Sequence, residues 1–529
     1  NEDINTSPET SNEDINTSPE TSNEDEKQTK YMNILKHIIP LLCLLTIHTT
    51  ETSFVEMFEL IKNNEEKYNI LINQTKSWWG KLINSKIIKI IIDLYIKYMK
   101  YDKETNQIIR TVKELFTKSK ENYRELSKLI DKYFIAQDLE KKNNAEVSTP
   151  SKLRQEMLDK IPVDFWSDVS YKVNTMTGEW TPLYPKVFEP CAGKGGFIID
   201  IIDRFMIGLK EAIPDEEERY KTIVEECLYF SDINPTNIFI CKLLVDYCNK
   251  YRLNYNEGNT LDLDIKEKWG IDGFDAVIGN PPYNKGKNAN FYVKFMEFSL
   301  NNIKDNGYNL FVIPNRFLIP KHKANKIISK FQVNYICHTV KDFNVSTDIG
   351  YYLATKTNQI NNTQIICLFD NSIVENINLD IPTPTTNNSL EYKKLSDKIL
   401  MKGPKITFIK DKKENLDDNH IFIPRHWTRY SSSKPKGGKH VFNIIDEFGD
   451  DGRYVSITPE NKENVKWYLN RSKIIRFITN NYASTVFIPP FIWENIPLIN
   501  FNTTYNDSEL YEMFDLSVGQ IQLIESVVD

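Results

Sequence analysis

Seven cysteines in 529 residues, an odd number with no Cys-x-x-Cys pair, exclude a disulfide framework. They read as small core residues of a protein kept in a reducing compartment. Apolar runs of about 18 residues, the length needed to cross a bilayer, are absent. The stretch Ile38–Ile47 is only ten residues long and contains Pro40, so it reads as a buried helix. Glycine is scarce, at 19 residues, and proline is absent from 41 to 149, as long helices require. No His/Cys/Asp/Glu group has metal-ligand spacing, so no metal is expected.

Basic charge is also in deficit, with a formal net charge of −7. That deficit is local. Residues 1–30 hold nine acids and two bases, and residues 31–529 are neutral overall. The acidic balance therefore does not argue against a nucleic-acid partner for the body of the chain. Residues 1–11 and 12–22 are the same peptide, Asn-Glu-Asp-Ile-Asn-Thr-Ser-Pro-Glu-Thr-Ser, and Asn23–Asp25 begins a third copy. With a single Ile per unit, this tail cannot bury enough apolar surface to offset ordering entropy, and it is expected to be disordered.

Residues 31–145 read as a helical domain. Leu60-Ile61, Ile87-Ile88, Ile91-Ile92, Tyr95-Ile96 and Leu115-Phe116 recur at helical spacing between lysines and glutamates. From residue 146 the texture changes. Short apolar runs (Val187-Phe188, Leu228–Phe230, Ala276–Ile278, Leu310–Ile313) alternate with helical patterns (Gly196–Leu209, Ile238–Lys250, Tyr292–Asn301). Such alternation predicts an α/β fold with a doubly wound parallel sheet. Residues from about 375 to 390, with Pro382 and Pro384, read as a linker. The expected divisions are a tail (1–30), a helical domain (31–145), an α/β domain (146–385) and a mixed α+β region (386–529).

Four motifs carry chemistry. Val187–Phe197 (Val-Phe-Glu-Pro-Cys-Ala-Gly-Lys-Gly-Gly-Phe) runs from a strand, through Glu189, into a small-residue turn that opens a helix. Such a turn admits close backbone approach to a ligand, but glycine turns after strands are common. No Gly-Lys-Ser/Thr follows, so it is not a phosphate loop. Tyr229–Pro235 ends a second strand in Asp232, placed to accept ribose hydroxyls, with Ile233 beside it. Taken alone, Asp232 is a helix cap. Gly258–Asp262 likewise reads alone as a capped turn. Phe274–Tyr283 decides between these readings. A buried strand ends in Asn280-Pro281-Pro282-Tyr283. The prolines fix the backbone, so an Asn side-chain oxygen and a proline carbonyl form two rigid acceptors. A planar amino group supplies the two matching donors, and Tyr283 offers a face for a base.

On these residues, the chain from 147 to 345 resembles the catalytic domain of S-adenosylmethionine-dependent adenine-specific DNA methyltransferases of restriction–modification type. Asn-Pro-Pro-Tyr is that family's catalytic motif, Glu-Pro-Cys-Ala-Gly is similar to its cofactor motif, and Val147-Ser148-Thr149-Pro150 resembles its upstream cofactor element, in the gamma motif order. Phe291–Leu300 and Gly307–Leu318 also follow the family pattern, and Trp493–Pro497 with Asp507–Asp529 resembles the closing segment of large members. Lys194 departs from the small residue usual at its position.

The resemblance implies a Rossmann-like methyltransferase sheet and S-adenosylmethionine as cofactor. Its methionine end would meet Thr149 and Glu189, within the segment Pro190, Ala192, Gly193 and Gly195. Asp232 would bind the ribose, Ile233 and Phe197 would pack around it, and Asp262 would meet the cofactor's adenine. Asn280 and Pro281, with Pro282, would hold the target amino group, and Tyr283 would stack on a flipped adenine, with Phe343 or a neighbour on its other face. Double-stranded DNA is the implied partner, with room for a separate restriction endonuclease, in the cytoplasm or wherever the DNA resides, and no membrane. The acid-free stretch Ile421–Val441 lies where the family keeps target recognition. It interleaves Arg425, Arg429, Lys434, Lys436 and Lys439 with Trp427 and Tyr430, which suits phosphate and base-edge contacts; a solvated basic loop is the plainer alternative.

Rival readings use the same motif: a glutamine-amide methyltransferase acting on release factors, an RNA methyltransferase, or a non-catalytic DNA-binding subunit. The long C-terminal region and Thr149-Pro150 favour DNA, and the intact Asp232, Asn280 and Tyr283 favour an enzyme. Residues 31–145 hold no convincing Asp…Glu-x-Lys arrangement and read without strands, so no DNA cleavage is expected.

Overall fold

The computed structural model describes residues 148–247, 249–284, 290–338, 340, 349–362, 365–369, 372–380, 383, 390–412, 418–424, 451–458, 460–482 and 490–528, together with short helical pieces between 64 and 133. The repeated tail, Phe343 and residues 425–450 lie outside these. The chain forms two compact units. One comprises 1–138, 193–195 and 234–251, and the other comprises 139–192, 196–233 and 252–529.

In the first unit the described secondary-structure elements are helices. The helix Tyr123–Tyr133 starts where the Asn122 side chain accepts from the backbone N–H groups of Arg124 and Glu125. The helix Pro235–Val245 opens on a proline, whose missing N–H costs nothing in a first turn. It ends five residues before the sequence pattern suggested. The buried Asp246 carboxylate accepts from the N–H groups of Lys250 and Tyr251, which turns the chain away.

In the second unit, a solvent-exposed hairpin, β1 (Ser170–Val173) and β2 (Trp180–Leu183), precedes the main sheet. Nine strands follow: β3 (Val187–Glu189), β4 (Leu228–Asp232), β5 (Asn254–Glu257), β6 (Phe274–Gly279), β7 (Ile303–Pro314), β8 (Gln332–Cys337), β9 (Ile349–Thr355), β10 (Ile365–Phe369) and β11 (Ser372–Ile377). Their order is β11-β10-β8-β9-β7-β6-β3-β4-β5. β5, β4, β3, β6 and β7 run parallel, and β9 is antiparallel to both β7 and β8. The four expected strands lie side by side as β7-β6-β3-β4, each longer than the apolar run that announced it. The stretch read as linker begins instead as the end of β11, and Ile377 and Leu379 are core residues.

Alternation along the strands sends side chains to both faces. Phe188, Val277, Phe311 and Ile313 join the core beneath the helices Tyr292–Asn302 and Lys323–Ile328, as does Phe274, which precedes a register shift in β6. Residues of opposite parity face the other way. Tyr308 of β7 meets Phe165, and Phe165 and Trp166 pack on Phe205 of the helix Gly196–Gly208. Both faces are thus covered, as a parallel sheet requires. The charged segment from Lys210 to Glu226 contains the helix Glu216–Thr222, capped by Asp215, and Arg219 is buried against the carbonyls of Ile213 and Pro214.

The C-terminal region is mixed α+β. β12 (Ile409–Lys412), β13 (His420–Pro424) and β14 (Asp451–Ser456) form an antiparallel sheet in the order β12-β14-β13. The helices Leu390–Leu400, Lys462–Asn470, Lys473–Tyr482, Pro490–Asn495, Asp507–Met513 and Val518–Val528 share a second core, with Tyr468, Phe477, Ile492 and Leu510. Asn506 and Glu509 cap the fifth of these reciprocally. Among the described residues no helix is long and apolar enough to cross a membrane.

Candidate active site

β3 has β4 on one side and β6 on the other, so strand order reverses there. Doubly wound sheets bind ligands beyond the carboxyl ends of the strands at such a point. Three residues singled out from sequence end these strands or follow them directly: Glu189 on β3, Asp232 on β4 and Asn280 after β6.

A polar network fixes the strand ends. The Thr260 hydroxyl lies 2.6 Å from the Pro190 carbonyl oxygen and 2.8 Å from Ser231 Oγ. Asn256 Nδ2 donates to Ser231 Oγ at 3.0 Å, and the Ala192 N–H donates to the Ser231 carbonyl. The Gly258 N–H donates to the carbonyl of Asp232. The small polar residues Ser231, Asn256 and Thr260 therefore set the spacing of the loops after β3, β4 and β5.

Glu189 is buried, and its Oε2 has no hydrogen-bond partner among the described residues. Burial pushes its carboxyl well above the ordinary carboxylate range, and the Arg154 guanidinium and the Ile198 N–H pull it back in part. An orphaned acceptor of this kind needs a donor. The α-ammonium of S-adenosylmethionine is such a donor, so the residues present fit that cofactor.

Arg154, which the sequence did not single out, organises the floor of the site. Its Nε donates to Asp200 Oδ2 at 2.6 Å and its Nη1 to the Thr149 carbonyl at 2.5 Å. Gln155 Nε2 donates to the other Asp200 oxygen at 2.7 Å. A Cβ on Gly196 would lie 2.8 Å from the Arg154 guanidinium carbon, so that position has no room for a side chain. Gly193 and Gly195 adopt φ of +51° and +78°, which L-residues rarely do. The helix Ser151–Leu158 shows a signal for Arg154 in hindsight: it falls among Leu153, Met157 and Leu158 on the buried side.

Asn280 Nδ2 donates to Thr149 Oγ1 at 3.2 Å, joining two motifs 131 positions apart. Pro281 is buried, and Pro282 and Tyr283 are half-buried. The Tyr283 carbonyl accepts from the Phe291 N–H, and its ring meets Tyr292 edge-to-face at 6.5 Å. Ile233 is half exposed and open to a ligand, whereas Phe197 is buried in the first turn of its helix. Asp262 is exposed, with its Oδ2 accepting from Asn259 Nδ2. Among the described residues no group of His, Cys, Asp and Glu could hold a metal. The basic residues Arg425, Trp427, Arg429, Lys434, Lys436 and Lys439, so grouped with their aromatic, lie outside the described residues.

Residues 226–348, which run from β4 past the Asn280 loop, match the Eco57I restriction-modification methylase family. No curated protein matches the chain. Solved structures similar to it include a modification subunit of a putative type I restriction enzyme from Vibrio vulnificus YJ016, at 14% identity and a TM-score of 0.35 over 60% of this chain and 63% of that one. A putative class I S-adenosylmethionine-dependent methyltransferase from Listeria monocytogenes is 13% identical, with a TM-score of 0.33 over 60% of this chain and 92% of that one. The M protein of the type I restriction enzyme EcoKI is 13% identical, with a TM-score of 0.32 over 74% and 81%. The sheet order, with one antiparallel strand inserted between β7 and β8, is that of class I methyltransferases. Sheet and matched segment together imply S-adenosylmethionine as the cofactor.

Proposed function

We propose that this protein transfers a methyl group from S-adenosylmethionine to the exocyclic amino group of adenine within a specific DNA sequence. The observation that carries the reading is the Asn280-Pro281-Pro282-Tyr283 loop at the end of β6, the strand beside that of buried Glu189, whose Oε2 has no partner among the described residues. Bound S-adenosylmethionine supplies a methyl group already activated by its sulfonium, so the protein's task is positioning. Glu189 holds the methionine end. Asp232 takes the ribose, Ile233 lies against the base, and Asp262 faces the cofactor's adenine.

Asn280 Oδ1 and the Pro281 carbonyl accept the two N–H groups of the target. Adenine's amino lone pair is delocalised into the ring. Two fixed acceptors favour a pyramidal nitrogen, which returns the pair to the atom that must attack, an electrostatic assistance worth about a few kcal/mol. The target atom is shielded within a duplex, so the base is extruded, at a cost of roughly a few kcal/mol that stacking on Tyr283 offsets in part. The half-buried setting of Tyr283 supports this role, since a ring packed against Tyr292 is a rigid platform.

In this reading 146–385 is the catalytic domain, 386–529 recognises the target sequence, and Arg425, Trp427, Arg429, Lys434, Lys436 and Lys439 meet the DNA. The protein works in the cytoplasm with its DNA, and any cognate nuclease is a separate chain. The test is transfer of radiolabel from S-adenosylmethionine to unmethylated duplex DNA, followed by methylation-sensitive sequencing of DNA from an expressing host. Label in adenine at a defined site is expected. Label in release factor or RNA instead overturns the DNA reading. Asn280→Ala is expected to abolish transfer while cofactor binding stays intact, and equal loss of both overturns the division of roles.

A further inference from the structure

We infer that Thr149 is a positioning residue for Asn280. Its hydroxyl selects the rotation of the Asn280 amide that turns Oδ1, rather than Nδ2, toward the target amino group. The inference rests on the methyl-transfer reading and adds to it a role that the cofactor assignment of Thr149 does not contain.

A primary amide has nearly the same shape when turned by 180°, yet one orientation presents an acceptor and the other a donor. Only the acceptor serves a target that brings two N–H groups. A partner that accepts from Nδ2 therefore determines which way the catalytic oxygen faces. Thr149 Oγ1 is such a partner, at 3.2 Å from Asn280 Nδ2.

The hydroxyl is itself rigidly carried. Thr149 is buried, and its β-branched side chain has few rotamers. Pro150 follows and opens the helix Ser151–Leu158. The Thr149 carbonyl accepts from Arg154 Nη1 at 2.5 Å, and Arg154 Nε is held by Asp200 at 2.6 Å. Asp200 belongs to the helix that follows the cofactor motif. A continuous chain of hydrogen bonds thus runs from Asp200 through Arg154 and Thr149 to Asn280. It couples the cofactor side of the site to the target side, and it gives the upstream element a reason to be built around a hydroxyl.

The experiment uses the full chain, unmethylated phage DNA and radiolabelled S-adenosylmethionine. It compares wild type with Thr149→Val, which keeps the shape and removes the hydroxyl, and Thr149→Ser, which keeps the hydroxyl. Single-turnover transfer and the Kd for S-adenosylmethionine are measured separately, with thermal unfolding as a check on folding. At saturating S-adenosylmethionine, where any change in Kd is without effect, Thr149→Val is expected to slow single-turnover transfer about tenfold, the scale of one lost hydrogen bond. Thr149→Ser is expected to restore the rate. A Thr149→Val rate at saturation equal to wild type overturns the inference, and so does a Thr149→Ser rate as low as that of Thr149→Val. A wild-type protein that binds S-adenosylmethionine and labels no DNA overturns the underlying reading instead.

Discussion

Arg154 Nε lies 2.6 Å from Asp200 Oδ2, and both side chains are nearly out of solvent. The pair ties the helix Ser151–Leu158, which Thr149 and Pro150 precede, to the helix Gly196–Gly208, which leaves the glycine turn after β3. Burial pushes the Asp200 carboxyl up and the guanidinium pulls it down, so each charge is tolerated because of the other.

Removing one partner leaves the other charged and buried. Asp200→Ala is expected to lower the unfolding free energy by about 3–5 kcal/mol, the usual consequence of breaking a buried pair. Urea unfolding measures it. Alanine at Asp272, whose ion pair with Lys266 stands in solvent, is the contrast and should leave the urea midpoint unchanged. Equal midpoints for the two variants would show that the Arg154–Asp200 pair carries no structural weight.

Gly196→Ala tests the same floor from above. The added Cβ would sit 2.8 Å from the Arg154 guanidinium, itself pinned by Asp200 and the Thr149 carbonyl. The substitution is expected to cost about 1–3 kcal/mol by overpacking. With Arg154→Ala already present, Gly196→Ala should cost markedly less, since the clash is gone. Additive costs in a double-mutant cycle would place the strain elsewhere.

Glu189 gives the pH dependence. Its folded pKa lies well above that of an unfolded glutamate because burial disfavours the charge. Between the two values the folded state binds more protons than the unfolded one. Its contribution to stability is therefore complete below the unfolded pKa and is lost as pH rises through the folded one. Relative to Glu189→Gln, wild-type protein should lose unfolding free energy as pH climbs from the ordinary carboxylate range. Ligation reverses the demand, because an ammonium group needs the ionised carboxylate. Binding of S-adenosylmethionine should release a proton and tighten with pH. Titration calorimetry in two buffers of different ionisation enthalpy reads that proton, and a buffer-independent enthalpy would contradict the assignment.

The central strands were legible because β3, β4, β6 and β7 are buried on both faces and so read as short unbroken apolar runs. Asn280-Pro281-Pro282-Tyr283 was legible because two adjacent prolines after such a run are hard to place anywhere but a rigid loop. The hairpin β1–β2 was missed because it is solvent-exposed on both faces and lacks a buried alternation. β11 was hidden by its polar residues Glu375 and Asn376. Arg154 and Asp200 were not legible as a pair for a different reason. Charged residues 46 apart announce nothing until the fold brings both into the interior. The Ser231–Thr260 hydroxyl pair is of the same kind, a contact across 29 residues between side chains with no distinctive local pattern.

Tyr283 separates stacking from hydrogen bonding. Its ring packs edge-to-face on Tyr292, and burial pushes its phenol pKa far up, so the hydroxyl stays neutral across the working range. A neutral, buried hydroxyl takes no part in proton transfer, and the face of the ring is what the base would use. Tyr283→Phe is therefore expected to keep transfer within about tenfold of wild type, since the stacking face survives. Tyr283→Ala removes a stacking contact worth about 1–3 kcal/mol per base, or roughly 5- to 150-fold. Once sequencing has identified the target site, 2-aminopurine placed at the methylated adenine reports extrusion directly. Its fluorescence should rise on binding to wild type and to Tyr283→Phe, and less on binding to Tyr283→Ala. Wild-type fluorescence with Tyr283→Ala would assign the platform to another aromatic, and a dead Tyr283→Phe would give the hydroxyl a role that its burial argues against.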